Sequence, residues 1–268
     1  MPKKHLYTSV IEDVKRVAAD TYVIRLREPE LANTVRAGQF VEIKVPQCSE
    51  ILWRRPFSVH ARDRERGTFD ILFNSIGRGT SVMVTLEPGE KLEVLGPLGN
   101  HFDIDLLQEA VAVAGGLGIA PFKLLLQELV ERDIKMTLLY GVGSADQLCF
   151  IEEFEQYADV HVSTVSGDFG HKGVVTDLLI HYLETQHSLQ NKSLMVCGPT
   201  PMLRVVQTIV LQRKLPAQVS VETIMACGFG ACVGCAVPMT HPIPGEKEYL
   251  LACKDGPVFD MHEIRIDD

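Results

Sequence analysis

Three cysteines lie close together in the stretch Ala226-Cys227-Gly228-Phe229-Gly230-Ala231-Cys232-Val233-Gly234-Cys235. With Cys253 they form the pattern C-x4-C-x2-C-x17-C. A compact iron–sulfur core needs thiolates gathered by a tight loop, and glycines permit such turns and leave N–H groups free to approach sulfur. The order is that of plant-type [2Fe–2S] sites. It predicts as metal ligands Cys227, Cys232, Cys235 and Cys253.

Two alternatives to the cluster remain open from the spacing. Zinc sites generally use two C-x2–4-C pairs, whereas Cys232 and Cys235 form the single close pair here. Free buried thiols are the other alternative. The segment from about Val219 is too small to hold a hydrophobic core of its own, so a metal centre would supply stability there.

The composition is that of a globular protein with an acidic balance. The 268 residues are 46% hydrophobic and 23% charged, with a formal net charge of −9. This charge argues against a nucleic-acid or anionic-membrane surface. The longest apolar stretch, Ala110 to Phe122, is too short to span a membrane and is interrupted by glycines. The N-terminal lysines precede no apolar h-region, so we expect no secretory signal and a cytoplasmic protein. The seven cysteines are an odd number, which argues against a disulfide framework.

The N-terminal part, from Tyr7 to about Gly99, consists of short β-rich runs separated by turns. Strands at this spacing predict an antiparallel barrel or sandwich. A short helix is expected at Thr80–Leu86. The predicted strands are Tyr22–Arg27, Gln39–Val45, Phe57–Ala61, Phe69–Ile76 and Lys91–Leu95.

Strands and helices alternate after Gly99. The apolar residues Phe122, Leu125, Leu126 and Leu129 have helical spacing. Such alternation predicts a parallel, Rossmann-like sheet with helices on both faces. The predicted strands are Val111–Ala114, Met136–Tyr140, Val160–Val165 and Leu194–Cys197, and the other helices lie near Ile151–Gln156 and Pro201–Gln212. We therefore expect three regions, at residues 1–101, 102–218 and 219–268.

Two short motifs suggest a flavin in the first region. Arg55-Pro56-Phe57-Ser58 offers a cation for a pyrophosphate, a flat apolar group and a small hydroxyl. Gly77-Arg78-Gly79-Thr80 offers free backbone N–H groups to a phosphate. Each motif also has a plain interpretation, as the start of an edge strand and as a helix start with a threonine cap.

Two further motifs suggest a nicotinamide nucleotide in the second region. Gly115-Gly116-Leu117-Gly118 follows a strand and precedes a helix, as in a dinucleotide loop, but Pro121 replaces the third glycine. No carboxylate follows the second strand until Asp146, so the ribose contact is unidentified. Cys197-Gly198-Pro199 ends a later strand, where ligands collect. Cys197 either touches a nicotinamide or is a buried thiol.

Taken in order, these pieces resemble the ferredoxin–NADP reductase superfamily from about Tyr7 to Gln218. The segment from Glu222 to Phe259 resembles the electron-transfer subunits of class 1B dihydroorotate dehydrogenases. The resemblance implies FAD contacts at Arg55, Pro56, Phe57, Ser58, Leu72, Phe73, Asn74, Gly79 and Thr80. It also implies NAD contacts at Gly115, Gly116, Gly118, Cys197 and Gly198. Phe57 departs from the family, in which tyrosine or an aliphatic residue is usual.

The resemblance further implies a place in pyrimidine biosynthesis. A separate catalytic subunit with FMN would oxidise dihydroorotate, and electrons would pass through the [2Fe–2S] cluster and FAD to NAD+ in a complex of two copies of each subunit. This chain offers no evident acid or base for dihydroorotate itself. One alternative is the small subunit of an NADPH–ferredoxin or sulfide-type oxidoreductase; another is a zinc-containing nucleotide-binding regulator without redox activity.

Overall fold

The computed structural model describes residues 4–46, 52–186, 192–242 and 247–267. Six antiparallel strands close a barrel in the order β1-β2-β5-β4-β3-β6. Their bounds are β1 His5–Ala18, β2 Thr21–Arg27, β3 Phe40–Lys44, β4 Arg55–Asp63, β5 Thr68–Asn74 and β6 Lys91–Leu98. The predicted barrel is confirmed, although the long strand β1 was not predicted.

Two short helices accompany the barrel, α1 (Pro29–Thr34) and α2 (Arg78–Met83). Helix α2 begins two residues earlier and ends three residues earlier than predicted. The Thr80 hydroxyl accepts hydrogen bonds from the N–H groups of Ile76 and Gly77, both at 3.1 Å. These bonds hold the start of the helix, so the threonine acts as a cap.

The second sheet has seven strands in the order β10-β9-β8-β7-β11-β12-β15. The strands are parallel except for β15, which runs antiparallel to β12 at one edge. The strands are β7 Glu109–Gly115, β8 Lys135–Val142, β9 Asp159–Thr164, β10 His171–Lys172, β11 Lys192–Cys197, β12 Ala217–Ser220 and β15 Val258–Asp260. The predicted parallel α/β architecture is confirmed.

Four helices flank this sheet: α3 Phe122–Val130, α4 Ile151–Glu155, α5 Val175–Thr185 and α6 Thr200–Arg213. Helix α5 was not predicted, although its apolar residues provide the signal that would have found it. Val175, Leu178, Leu179 and Tyr182 recur at helical spacing, and all four are buried. Together with α6 they cover one face of the sheet.

A buried ion pair fastens the barrel to helix α3. Arg62 of β4 lies 3.2 Å from the Glu128 carboxylate, and both side chains are about 5% exposed or less. Glu128 also accepts the backbone N–H of Ala37 at 3.2 Å. Because each of these buried charges is paired with the other, separating them would leave an uncompensated charge, so the pair helps hold the barrel against helix α3.

The cysteine-rich segment contains a small hairpin, β13 (Ala236–Pro238) with β14 (Tyr249–Leu251). It returns to the parallel sheet through β15. The side-chain amide of Asn100 donates to the carbonyl oxygens of Asp255 and Val258 at 3.0 and 2.7 Å. The segment is therefore attached both to the sheet and to the linker that follows the barrel.

Candidate functional site

The four C-terminal cysteines lie in two pairs. The sulfurs of Cys235 and Cys253 are 3.2 Å apart, and the thiol groups of Cys227 and Cys232 are hydrogen-bonded to each other. In the part of the chain that the structure describes, no group of three or more His, Cys, Asp or Glu side chains is gathered closely enough to hold a single metal ion. Two pairs of thiols suit a core with two iron atoms, each of which takes two thiolates.

Backbone N–H groups prepare Cys227 for metal binding. Its Sγ atom accepts hydrogen bonds from Ala231 at 3.3 Å and Cys232 at 3.4 Å. Burial raises the pKa of this thiol, but hydrogen bonds from the backbone of the loop outweigh burial and lower the pKa from 9.0 to about 6. Since the thiolate is the metal-binding form, the loop favours it before a metal arrives. The residues present therefore fit an iron–sulfur cluster.

Glu42, on β3 of the barrel, faces the cysteine loop. Its side chain is fully buried, and neither carboxylate oxygen has a hydrogen-bond partner among the described residues. Burial raises its pKa to about 7, an effect that Arg54 opposes and Cys227 increases. No sequence motif pointed to this residue. Its burial depends on the cysteine loop that covers β3, and that contact is not visible in the sequence.

A cavity of about 250 Å³ separates the barrel from the chain that leads into the cysteine loop. Seven of the nine residues predicted to contact a flavin line it: Pro56, Phe57, Ser58, Leu72, Phe73, Asn74 and Thr80. Arg55 and Gly79 do not line it; the exposed Arg55 guanidinium lies 3.3 Å from the Trp53 carbonyl oxygen. The lining is mainly apolar and aromatic with a few hydroxyl and amide groups, which suits a flat ring system.

The far wall of this cavity includes residues that the sequence did not single out as ligands. Ser220, Glu222, Thr223 and Met225 line it. Neighbouring protein atoms partly desolvate the carboxyl of Glu222 and raise its pKa, although the residue is exposed to solvent. Met225 precedes Cys227 by two residues. The flavin cavity and the cysteine loop are therefore neighbours.

A second cavity, of about 450 Å³, opens at the carboxyl ends of β7 and β8. The predicted loop residues Gly115 and Gly116 line it, together with Gly141, Gly143 and Met202. Ligands of open parallel sheets bind at such strand ends, beside glycines that let the backbone approach a pyrophosphate. The cavity fits a dinucleotide.

Gly118, Cys197 and Gly198 lie behind this cavity rather than in its lining. A Cβ atom on Gly118 would lie 2.1 Å from the Cys197 carbonyl oxygen, and one on Gly198 would lie 2.8 Å from the Met202 sulfur. Both glycines therefore permit close packing of the strand ends. The Cys197 side chain is 2% exposed, and burial raises its pKa. Contact between Cys197 and a nicotinamide stays a prediction.

Together the barrel, the parallel sheet and the cysteine module define an iron–sulfur flavoprotein of the ferredoxin-reductase type. Three family models match along the chain: an oxidoreductase FAD-binding domain at residues 8–102, an oxidoreductase NAD-binding domain at 112–208, and the iron–sulfur cluster binding domain of dihydroorotate dehydrogenase B at 222–265.

Curated proteins of similar sequence identify the family. The electron transfer subunit of dihydroorotate dehydrogenase B (NAD(+)) from Desulforamulus reducens is 34% identical over 253 residues, 94% of this chain and 95% of that protein. The same subunit from Fusobacterium nucleatum is 32% identical over 96% of this chain and 97% of its own length. The chain belongs to the family of dihydroorotate dehydrogenase B electron transfer subunits, as the sequence motifs predicted.

Solved structures agree on the fold. An NADH-dependent reduced ferredoxin-NADP oxidoreductase superposes with a TM-score of 0.85 at 27% identity, covering 97% of this chain and 90% of that one. A ferredoxin NADP+ reductase from Neisseria gonorrhoeae, solved with FAD and NADP, has a TM-score of 0.65 at 18% identity over 77% and 91% of the two chains. No helix among the described residues is long and apolar enough to cross a membrane.

Proposed function

We propose that this chain is the electron-transfer subunit of an NAD+-linked dihydroorotate dehydrogenase in de novo pyrimidine biosynthesis. It would connect the FMN of a catalytic subunit to NAD+. When bound, a [2Fe–2S] cluster exchanges single electrons and FAD combines two of them for hydride transfer to NAD+. The observation that carries the proposal is that the cysteine loop directly continues the wall of the flavin cavity.

Each region of the chain has a distinct task in this proposal. Residues 1–101 hold FAD, residues 102–218 hold NAD+ and residues 219–268 hold the cluster. The ligands to the cluster are Cys227, Cys232, Cys235 and Cys253. The flavin contacts are Arg55, Pro56, Phe57, Ser58, Leu72, Phe73, Asn74, Gly79 and Thr80. Gly115 and Gly116 bring the backbone close to the NAD+ pyrophosphate, while Gly118, Cys197 and Gly198 shape the strand ends behind it.

The apolar surface of the cysteine module supports docking of the catalytic subunit there. Ile224 is 90% exposed, and Phe229 and Val233 are about half exposed. Phe229 lies between Cys227 and Cys232 in the sequence, and Ile224 and Val233 lie on either side of them. Exposed apolar groups of this kind mark protein–protein contacts. We propose a heterotetramer of two copies of each subunit, placed in the cytoplasm, where thiols stay reduced.

Purification of this chain with a candidate catalytic subunit tests the function. We expect a coloured complex that contains FAD, FMN, iron and sulfide and reduces NAD+ when given dihydroorotate without oxygen. A complex that reduces ferredoxin but ignores dihydroorotate would favour an NADPH–ferredoxin type of oxidoreductase instead. A colourless protein would indicate a regulator without redox activity.

A further inference from the structure

The last cysteine of the predicted cluster, Cys253, lies in a tight turn that is closed on itself. The carbonyl oxygen of Leu251 accepts hydrogen bonds from the backbone nitrogens of Lys254 and Asp255 at 2.9 and 2.7 Å. The Asp255 carboxylate in turn accepts the N–H of Leu251 at 2.8 Å. Cys253 lies inside this turn and is 1% exposed. The turn is therefore a compact unit, and a group that holds it also fixes the Cys253 thiol.

Asn100 holds the far end of this turn from the link between β6 and β7. Its Oδ1 atom accepts the N–H of Val258 at 2.9 Å. Its Nδ2 atom donates to the carbonyl oxygens of Val258 and Asp255 at 2.7 and 3.0 Å. The Asn100 backbone nitrogen donates to the Gly256 carbonyl oxygen at 2.6 Å. The side-chain amide thus exchanges both hydrogen bonds with Val258, as a paired strand residue does.

The same turn leads into the wall of the flavin cavity. Pro257 lines that cavity together with Phe40 of β3. Gly99, the neighbour of Asn100, packs so closely here that a Cβ atom on it would lie 2.4 Å from Cδ of Pro257. The Gly99 carbonyl oxygen accepts a hydrogen bond from the Gln39 side chain at 2.9 Å, which attaches the link to the barrel. Through Gly99 and Asn100, the barrel therefore sets the place of the turn.

We propose that Asn100 is a positioning residue for the iron–sulfur centre, whose side-chain amide holds the Cys253 turn in place relative to Cys235 and the flavin cavity. The inference rests on the proposed cluster ligands. The sulfurs of Cys235 and Cys253 are 3.2 Å apart, and Asn100 acts on this pair through the backbone of residues 255–258. Groups behind the ligands of a metal orient them and determine how firmly the metal is retained.

Other bonds keep the cysteine module folded independently of Asn100. The backbone nitrogen of Ala252 donates to the Cys235 carbonyl oxygen at 3.0 Å. Strands β13 and β14 pair with each other, and β15 pairs with β12. A substitution at Asn100 should therefore leave the module folded and loosen the turn alone.

Asn100→Asp tests the proposal because it keeps the size of the side chain. A carboxylate oxygen would replace the Nδ2 amide and face the carbonyl oxygens of Asp255 and Val258, so two hydrogen bonds become repulsive contacts. Asn33→Asp is the matched control. The exposed Asn33 amide also donates to a backbone carbonyl oxygen, that of Pro29, but within helix α1.

The measurements use the purified protein with FAD and cluster bound. Absorbance follows the release of iron to a chelator, and EPR spectra of the reduced protein report the surroundings of the cluster. We expect Asn100→Asp to release iron about tenfold faster and to shift the EPR g-values, while its FAD content stays that of the wild type. Asn33→Asp should match the wild type in every measurement.

A second variant, Asn100→Ala, removes the amide without adding a charge and should accelerate iron release in the same direction. Wild-type release rates and EPR spectra in both Asn100 variants overturn the role of Asn100 and leave the proposed function intact. Loss of FAD along with iron in both variants gives Asn100 a general structural role, which also overturns the proposal. A wild type that binds FAD but neither iron nor sulfide contradicts the proposed cluster itself.

Discussion

The Glu42 carboxyl group lies directly against the backbone of Gly228. A Cβ atom on Gly228 would stand 2.8 Å from Oε1 of Glu42, and Gly228 has a φ of +71°. Glu42 pairs with Pro56 across β3 and β4. The neighbouring strands β3 and β4 therefore carry Glu42, which contacts the cysteine loop, and Pro56, which lines the flavin cavity. The position of the loop relative to the flavin cavity follows from this contact.

Gly228→Ala should reduce the iron and sulfide content of the purified protein strongly. The new Cβ atom would meet Glu42 and also force a left-handed conformation that costs about 1 to 2 kcal/mol. Gly89→Ala is the matched control, since Gly89 has a φ of +94° but nothing within 4 Å of its Cβ position. A full complement of iron in Gly228→Ala would show that the contact with Glu42 does not position the loop.

Glu42→Gln should stabilise the protein at alkaline pH. The wild-type carboxyl has a folded pKa of about 7, raised by burial from 4.5. The folded state therefore holds a proton that the unfolded state releases, and wild-type stability falls as pH rises from about 4.5 to 7. Urea unfolding at pH 8.5 should show a gain for the variant of roughly 1 to 3 kcal/mol. The gain should vanish near pH 5.

The exposed Glu65→Gln provides the comparison for Glu42→Gln, because Glu65 lies in the β4–β5 turn and away from the loop. It should unfold like the wild type at both pH values. Equal stability of Glu42→Gln and wild type at pH 8.5 would contradict the burial penalty.

His60 should make the protein sensitive to acid. Its ring is completely buried on β4, with Nδ1 2.8 Å from the Ala120 carbonyl oxygen. Burial, assisted by Lys123, lowers its pKa to about 3. Below about pH 6.5 the His60 ring binds a proton in the unfolded state but not in the folded state. The free energy of unfolding therefore falls by about 1.4 kcal/mol per pH unit below that value.

His60→Asn keeps an N–H donor for Ala120 and removes the titration. We expect urea midpoints of the wild type to decline more steeply than those of the variant between pH 6.5 and 5. Parallel declines would mean that His60 titrates alike in the folded and unfolded states. The difference in slope is the measurement, since the smaller side chain also lowers stability at every pH.

Cys232→Ser should abolish the cluster and disconnect the two flavins of the complex, while NADH still reduces FAD. The cluster is the sole one-electron connection in the proposed arrangement. Iron content and stopped-flow flavin absorbance measure the two effects. Cys149→Ser, at a buried cysteine beside Tyr140, is the control and should keep the cluster. Dihydroorotate-dependent NAD+ reduction that survives in Cys232→Ser would refute the relay.

The sequence predicted the features that depend on neighbours along the chain. The spacing of the four cysteines, the glycine loop at Gly115, the short β-rich runs before Gly99 and the alternation of strands and helices after it each encode a local conformation. They therefore predicted the barrel, the parallel sheet and the candidate ligands. Strand β1 and helix α5 escaped prediction, although the apolar spacing of α5 contains the required signal.

The tertiary structure alone decided the contacts between distant segments. The sequence separates Glu42 from Gly228 by most of the chain, and β15 from the sheet that it completes. It also places Asp168 after β9, yet its carboxylate accepts a hydrogen bond from the backbone nitrogen of Ala145, in the turn that follows β8. The residues next to each other in the sequence determine the local backbone conformation. Which distant residue a side chain contacts depends on how whole strands and loops pack against each other. For that reason the cysteines could be found in the sequence, and Glu42, which contacts their loop, could not.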